Sequence, residues 1–283
     1  MMQKTLSQYP IGNNSPMTLI AGPCVVESEE VVMTCARSLK AVAEQYKIPV
    51  VFKASLDKAN RTSDQGFRGI GEAKALAILS SVKSHFDLPI ITDVHNCEMV
   101  DRVAPVVDFL QLPAFLCRQT DLIRSAAATG LPVNIKKGQF LAPADMRYVL
   151  EKALNTGNQN IMLCERGSTF GYHNLVVDFR GLSIMRAMGQ PVVFDATHSV
   201  QLPGGANGQS SGQREYANVL ARAALTIGIA AIFCETHPNP DEAKSDGANS
   251  IHLDDLPKYV AEWIAIDQLA KSHIVEHEVS HDA

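Results

Sequence analysis

Two sets of side chains in this sequence have the types and order to do chemistry. The first is cationic: Lys53, Lys58, Arg61, Lys136 and Arg166, each at or just after a short run of β-branched residues. A single Lys or Arg is most often a solvated surface residue. Five brought to one place repel one another unless an anion sits among them. Phosphate is the natural guest, because Arg offers a planar fork and Lys a point charge. Five cations exceed what one phosphate needs, so a carboxylate or a second phosphate is expected in the same pocket. The second set is mixed: Cys24, His198, Glu235 and Asp246 follow the first, seventh and eighth of those runs. Sulfur, nitrogen and oxygen donors together suit a divalent ion such as Zn²⁺, Fe²⁺ or Mn²⁺. A lone Cys is ordinarily a small buried hydrophobe, which is the reading for Cys35, Cys97, Cys117, Cys164 and Cys234. No compact motif joins the four candidate ligands, so only the fold can bring them together.

The elements that must position them recur along the whole chain. Strand-length, nearly continuous apolar runs stand at Met17–Ala21, Pro49–Lys53, Pro89–Asp93, Val106–Leu110, Pro132–Lys136, Ile161–Glu165, Pro191–Asp195 and Ala231–Glu235. Runs of this kind are expected of strands covered on both faces. Segments with helical spacing lie between them, such as Glu27–Lys47, Ile70–Phe86 and Asp254–Ala270. Eight strands alternating with eight helices predict an α/β fold, a (β/α)₈ TIM barrel in one domain, with residues 1–16 as a short N-terminal extension. An open doubly wound sheet is weakened by the lack of a G-x-G-x-x-G after the first run. Barrel chemistry collects at the C-terminal strand ends. There the sequence also places Ser55, Asp93, His95, Gln111, Lys137 and Asp195. A glycine-rich stretch, Gly204, Gly205, Gly208 and Gly212, reads as a plain loop or as a lid that excludes water. His237-Pro238-Asn239-Pro240 reads as a stiff turn.

Composition narrows the class. The chain has 283 residues, 46% hydrophobic and 19% charged, with a net charge of -5. That balance argues against a nucleic-acid-coating protein. The charged fraction is below the usual value of about 25%, which points to surface covered in an oligomer. The N-terminus MMQKTLSQYPIGNNSP has no apolar segment and is not read as a signal peptide. The longest mostly apolar run, Ala223–Cys234, is short of the roughly 20 residues of a membrane span. A cytoplasmic protein with free thiols and no membrane partner is the expectation.

Nine segments then stand in order. They are GPCVVES (Gly22–Ser28), FKASLDKANR (Phe52–Arg61), TDVH (Thr92–His95), QLPAFLCRQTDL (Gln111–Leu122) and NIKKGQF (Asn134–Phe140). CERGSTFGY (Cys164–Tyr172), NLVVDFR (Asn174–Arg180), DATHSVQLPGG (Asp195–Gly205) and ETHPNPDEAKSDG (Glu235–Gly247) follow. Together they resemble the 3-deoxy-D-manno-octulosonate 8-phosphate synthases over nearly the whole chain. The resemblance implies a barrel, generally a homotetramer, that condenses phosphoenolpyruvate with D-arabinose 5-phosphate, releases phosphate and feeds lipopolysaccharide assembly. It implies that Lys53, Ser55, Lys58, Gln111, Ala114, Lys136 and Arg166 hold phosphoenolpyruvate. Asn60 would contact the sugar, Arg61 and Ser63 its phosphate, and Arg118 the sugar phosphate of a neighbouring subunit. Lys136 and Arg166 would also stabilise the leaving phosphate, His198 would relay protons, and Asp93 and Asp195 would orient these groups.

Cys24, His198, Glu235 and Asp246 match the metal-dependent branch, whereas the metal-independent branch has Asn at the place of Cys24. Ser245-Asp246 agrees with the metal-dependent form, but Gly247 looks more like the Cys-Asp-Gly-Pro of the other. The nearest rival, 3-deoxy-D-arabino-heptulosonate 7-phosphate synthase, uses erythrose 4-phosphate. It reads Lys-Pro-Arg-Thr where this chain reads Lys58-Ala59-Asn60-Arg61-Thr62, and the extra Asn60 favours the longer sugar. From another class, a non-catalytic barrel that only binds phosphorylated metabolites is opposed by the intact strand ends.

Overall fold

Strands that are apolar on both faces need cover on both, and a closed parallel barrel inside a ring of helices supplies it. The computed structural model describes residues 4–273 apart from 62, 171, 207 and 208. Among them the barrel strands are β1 Thr18–Gly22, β2 Val50–Lys53, β3 Ile90–Asp93, β4 Phe109–Leu112, β5 Val133–Lys136, β6 Ile161–Glu165, β7 Val192–Asp195 and β8 Ala231–His237. Each pairs in parallel with the next. The barrel closes by pairing β1 with β8, Thr18 opposite Ala231 and Gly22 opposite Glu235. The helices are α1 Glu29–Tyr46, α2 Glu72–Phe86, α3 Cys97–Val103, α4 Thr120–Ala128, α5 Met146–Leu154, α6 Arg180–Arg186, α7 Ala217–Leu225 and α8 Leu256–Ser272. Side-chain caps start two of them: Ser28 Oγ accepts the Val31 N–H at 3.2 Å, and Asn96 Oδ1 accepts that of Met99 at 2.8 Å.

Two cores follow from the strand period of two. Residues such as Leu19, Phe52, Leu110, Ile135 and Ile232 pack outward among the helices, with Trp263 of α8 fully buried. Ile20, Val51, Ile91, Phe109, Met162, Val193 and Phe233 fill the barrel interior. Leu6 and Ile11 of the N-terminal extension join that inner cluster, and Tyr9 stacks 4.5 Å from Phe109. The extension therefore closes one end of the barrel and leaves chemistry to the other.

The fourth strand differs from the expected Val106–Leu110. The Val106 N–H turns back to the Val103 carbonyl. Asp108 exchanges bonds with β3, its N–H to the Ile90 carbonyl at 3.0 Å and its carboxylate to the Ile90 N–H at 2.9 Å. Asp108 thus ends the turn, and the strand runs Phe109–Leu112. The glycine-rich stretch forms antiparallel strands Gln201–Ala206 and Gln209–Gly212; Gly208 lies outside the described residues. The His237–Pro240 stretch is a turn: Pro240–Glu242 is one 3₁₀ turn, and His237 ends β8. No helix among the described residues is long and apolar enough to cross a membrane.

Candidate active site

The C-terminal strand ends and their loops enclose a cavity of about 570 Å³. All five cations line it, with Ser55, Asn60, Ser63, Asp93, Ala114, His198 and Asp246. Lys53 is 1% exposed. Its Nζ donates to the Cys24 carbonyl and Ser55 Oγ at 3.0 Å, and to Glu235 Oε1 at 3.2 Å. Such proximity needs β1 and β2 in close contact at the mouth. A Cβ on Gly22 would stand 2.0 Å from the Lys53 carbonyl oxygen, so the first residue of the GPC segment must be glycine.

Lys136 reaches Asp195 Oδ2 at 2.6 Å, and its Nζ stands 4.0 Å from the centroid of the Phe233 ring. Burial alone would push the Lys136 ammonium toward neutrality, but the negative charge of Asp195, helped by Cys164 and Asp93, raises its pKa. A cation over an aromatic face gains further attraction once desolvated. Asp93 is fixed by a chain of amides: Asn134 Nδ2 donates to Gln111 Oε1 at 2.8 Å, and Gln111 Nε2 to Asp93 Oδ1 at 2.7 Å. Both ends of the Gln111 amide are thereby engaged, and Gln111 sits below the cavity lining as a support for Asp93.

Two guanidinium edges are left over. Arg61 Nε donates to the Phe67 carbonyl at 2.9 Å and Arg166 Nη2 to Gln201 Oε1 at 3.0 Å. Arg61 Nη2 and Arg166 Nη1 are buried without a partner. A buried charged donor without an acceptor is costly, and an anionic guest removes that cost. His95 Nδ1 and Gln139 Oε1 are likewise buried and unpartnered on residues of the same lining.

Burial pushes the Asp93 carboxyl up, but Lys53, Lys136, Lys58 and the Ser55 hydroxyl hold it well below the usual carboxylate range. The unfolded chain therefore takes up this proton first as pH falls. The stability Asp93 contributes is whole above the ordinary value of about 3.9 and drains away below it. Melting temperature is expected to fall steeply with pH below about 4. Asp93→Asn is expected to start from a lower melting temperature at pH 7 and show a shallower acid slope. A slope equal to the wild type's, measured by calorimetry, would remove Asp93 from the account.

Cys24 Sγ and carboxylate oxygens of Glu235 and Asp246 lie within 4.8 Å of one another. His198 Nε2 lies 3.6 Å from Glu235 Oε1 and 3.9 Å from Asp246 Oδ2, while its Nδ1 stands 2.8 Å from Asp195 Oδ2. Burial, Asp246 and Glu235 push the Cys24 thiol pKa well up. Its Sγ donates to Asp246 Oδ2 at 3.1 Å. Lys58 Nζ stands 3.7 Å from Glu235 and 3.9 Å from Asp246. Glu235 Oε2 is buried with no partner. The thiol and two carboxylates this close, one oxygen unsatisfied, fit a divalent ion, with His198 standing beside the carboxylates outside that mutual 4.8 Å set; the ion would also ionise the thiol. Asp246 takes a positive φ of 49°. Its carbonyl accepts the N–H groups of Asn249 and Ser250 at 3.2 and 3.1 Å. A Cβ on Gly247 would stand 2.1 Å from the Pro240 carbonyl oxygen. Gly247 thus answers to loop packing beside the candidate ligands.

Some residues stand apart. Arg118 is exposed and does not line the cavity; its carbonyl accepts from Lys152 Nζ at 3.2 Å. Lys137, although at a strand end, is fully buried 3.4 Å from Glu165 and donates to the carbonyls of Gly138, Leu141 and Gly167. It braces the loops after β5 and β6. Gln201, Asn134, Gln139 and Phe233 were not legible as site residues. Gln201 accepts from Arg166 and donates to Asp246 Oδ1 at 3.0 Å, so it joins the anion side of the cavity to the thiol and carboxylate side. Only its place at the head of the glycine-rich stretch hinted at a role.

A closed parallel barrel with a cation-lined cavity and a mixed donor set at its C-terminal mouth defines the class, and comparison with known proteins agrees. Residues 2–272 match the DAHP synthetase I family, and the chain belongs to it. Within that family it is 55% identical to a protein of Dichelobacter nodosus over 97% of this chain and 99% of that one. It is 54% identical to one of Azoarcus sp. over 94% of this chain and 96% of that one. It is 55% identical to one of Coxiella burnetii over 96% and 97%. Each of these relatives is named 2-dehydro-3-deoxyphosphooctonate aldolase.

Proposed function

We propose that this protein condenses phosphoenolpyruvate with D-arabinose 5-phosphate and water to 3-deoxy-D-manno-octulosonate 8-phosphate and phosphate. The observation that carries the reading is the pair of buried guanidinium edges, Arg61 Nη2 and Arg166 Nη1, without partners in a cavity that is also lined by Lys53, Lys58 and Lys136. The names of the close relatives select the sugar.

In the reaction, C3 of phosphoenolpyruvate bonds to the sugar aldehyde carbon, water supplies the oxygen that stays on C2, and the C2–O bond to the departing phosphate breaks. Two anions must lie face to face, and the preorganised cations offset their repulsion. Lys53, Ser55 and Lys58 suit the carboxylate, and Lys136, Arg166 and the backbone at Ala114 suit the phosphate that leaves. Asn60, Arg61 and Ser63 at the rim suit the sugar and its phosphate. Asp195 bonds Lys136 at 2.6 Å and stands 2.8 Å from His198 Nδ1, so it holds both side chains against the cavity. A divalent ion held by Cys24, His198, Glu235 and Asp246 would polarise the aldehyde oxygen or activate the water. The exposed Arg118 supports a homotetramer in which it reaches a neighbouring subunit's sugar phosphate. The sequence character supports a cytoplasmic location.

Phosphate release from phosphoenolpyruvate, assayed in parallel with arabinose 5-phosphate and erythrose 4-phosphate, tests the assignment. Release with the five-carbon sugar alone is expected. Preference for erythrose 4-phosphate would move the enzyme to heptulosonate synthesis, and silence with both in metal-supplied, folded protein would leave a binding protein.

A further inference from the structure

One carboxylate, itself close in sequence to one candidate ligand, touches the neighbours of two others. Glu27 lies three residues after Cys24, in the loop from β1 to α1. Its Oε1 is 3.1 Å from Nε2 of His237, which is two residues after Glu235. Its Oε2 accepts the N–H of Lys244, two residues before Asp246, at 2.9 Å. His237 Nδ1 accepts the Asn239 N–H at 3.0 Å, so the ring proton sits on Nε2 and points at Glu27. Every polar atom of the pair is used, and the two side chains are 6% and 10% exposed. From the far side Arg214 Nη2 donates to the Gly247 carbonyl at 2.7 Å.

We propose that Glu27, through His237 and the Lys244 amide, is a positioning residue that straps the loop carrying Asp246 to the loop carrying Cys24. Strand pairing already sets Glu235 against Gly22. It sets nothing for Asp246, which lies nine residues beyond the end of β8 in a loop with no ladder of its own between His237 and Ile251. The strap supplies what the sheet does not: a fixed spacing between thiol and second carboxylate. Groups behind metal ligands typically control affinity by about 10–100-fold.

Glu27→Gln is isosteric, yet its amide nitrogen must face either the His237 ring N–H or the Lys244 N–H, donor against donor. Co²⁺ affinity, measured by chelator competition and followed through the thiolate-to-cobalt charge-transfer band, is expected to fall about 10–100-fold. The KM for phosphoenolpyruvate at saturating metal is expected to stay within twofold. In metal-free protein, hydrogen exchange is expected to quicken in residues 239–250 and 24–28 and not in α3 or α4. Glu27→Asp, one methylene shorter with its charge intact, carries the same test if Glu27→Gln does not fold. The affinity arm rests on the metal reading above, and the exchange arm does not. Wild type that takes up no Co²⁺ would remove the metal site and leave exchange to decide the strap. Exchange and affinity both at wild-type values in a folded variant would overturn the strap.

Discussion

Lys136→Met is expected to lower kcat by about 10²–10³-fold, the usual cost of removing one preorganised group that stabilises developing charge. The side chain fills the same channel but no longer meets the departing phosphate. A second effect accompanies it. Lys136 is the 2.6 Å partner of Asp195, which is fully buried. Breaking a buried pair from one side leaves an uncompensated charge and costs about 3–5 kcal/mol of folding stability. The two effects separate in Lys136→Met combined with Asp195→Asn. The double variant is expected to recover melting temperature and not activity. Recovery of both, in steady-state kinetics, would reduce Lys136 to a structural ion pair and hand the phosphate to Arg166 alone.

Stripping the protein of divalent ions with a chelator is expected to abolish turnover, and Mn²⁺ or Zn²⁺ to restore part of it. The ground is the buried set in which Glu235 Oε2 has no partner and a thiol hydrogen-bonds to Asp246. Cys24→Asn is expected to weaken metal binding beyond the about 10–100-fold of a supporting residue, because a ligand itself is lost. It is also expected to keep partial, chelator-resistant turnover. An amide at that place can donate to Asp246 as the thiol now does, which preserves the alignment without the ion. Full activity of wild type in a preparation shown by elemental analysis to be metal-free would sink the metal reading. A folded but inert Cys24→Asn would show that alignment alone does not suffice.

Much of this protein was determined by sequence alone, for a local reason. Doubly covered strands must be apolar along their whole length, so the runs ending at Lys53, Asp93, Lys136, Glu165 and Asp195 announce both the strands and the abrupt polar ends where chemistry sits. Repetition of that pattern favours a barrel over an open sheet, and the observed closure puts Cys24 beside Glu235, since β1 pairs with β8. The fourth strand was misplaced because Asp108 acts through its bonds to Ile90, and a pairing across strands leaves no mark in local periodicity.

Tertiary structure alone decided which polar residues face the cavity and which brace it. Lys136 and Lys137 are adjacent and identical in type. One lines the cavity and meets Asp195 there, and the other is spent on loop carbonyls, because successive strand-end residues point to opposite faces. Gln111 reads as a ligand-binding amide but is consumed by Asn134 and Asp93. Gln201 reads as an ordinary loop residue and Glu27 as the first residue of a helix, yet each joins segments remote in sequence. Composition records what a side chain can bond to; only the packed fold settles which partner is within 3 Å.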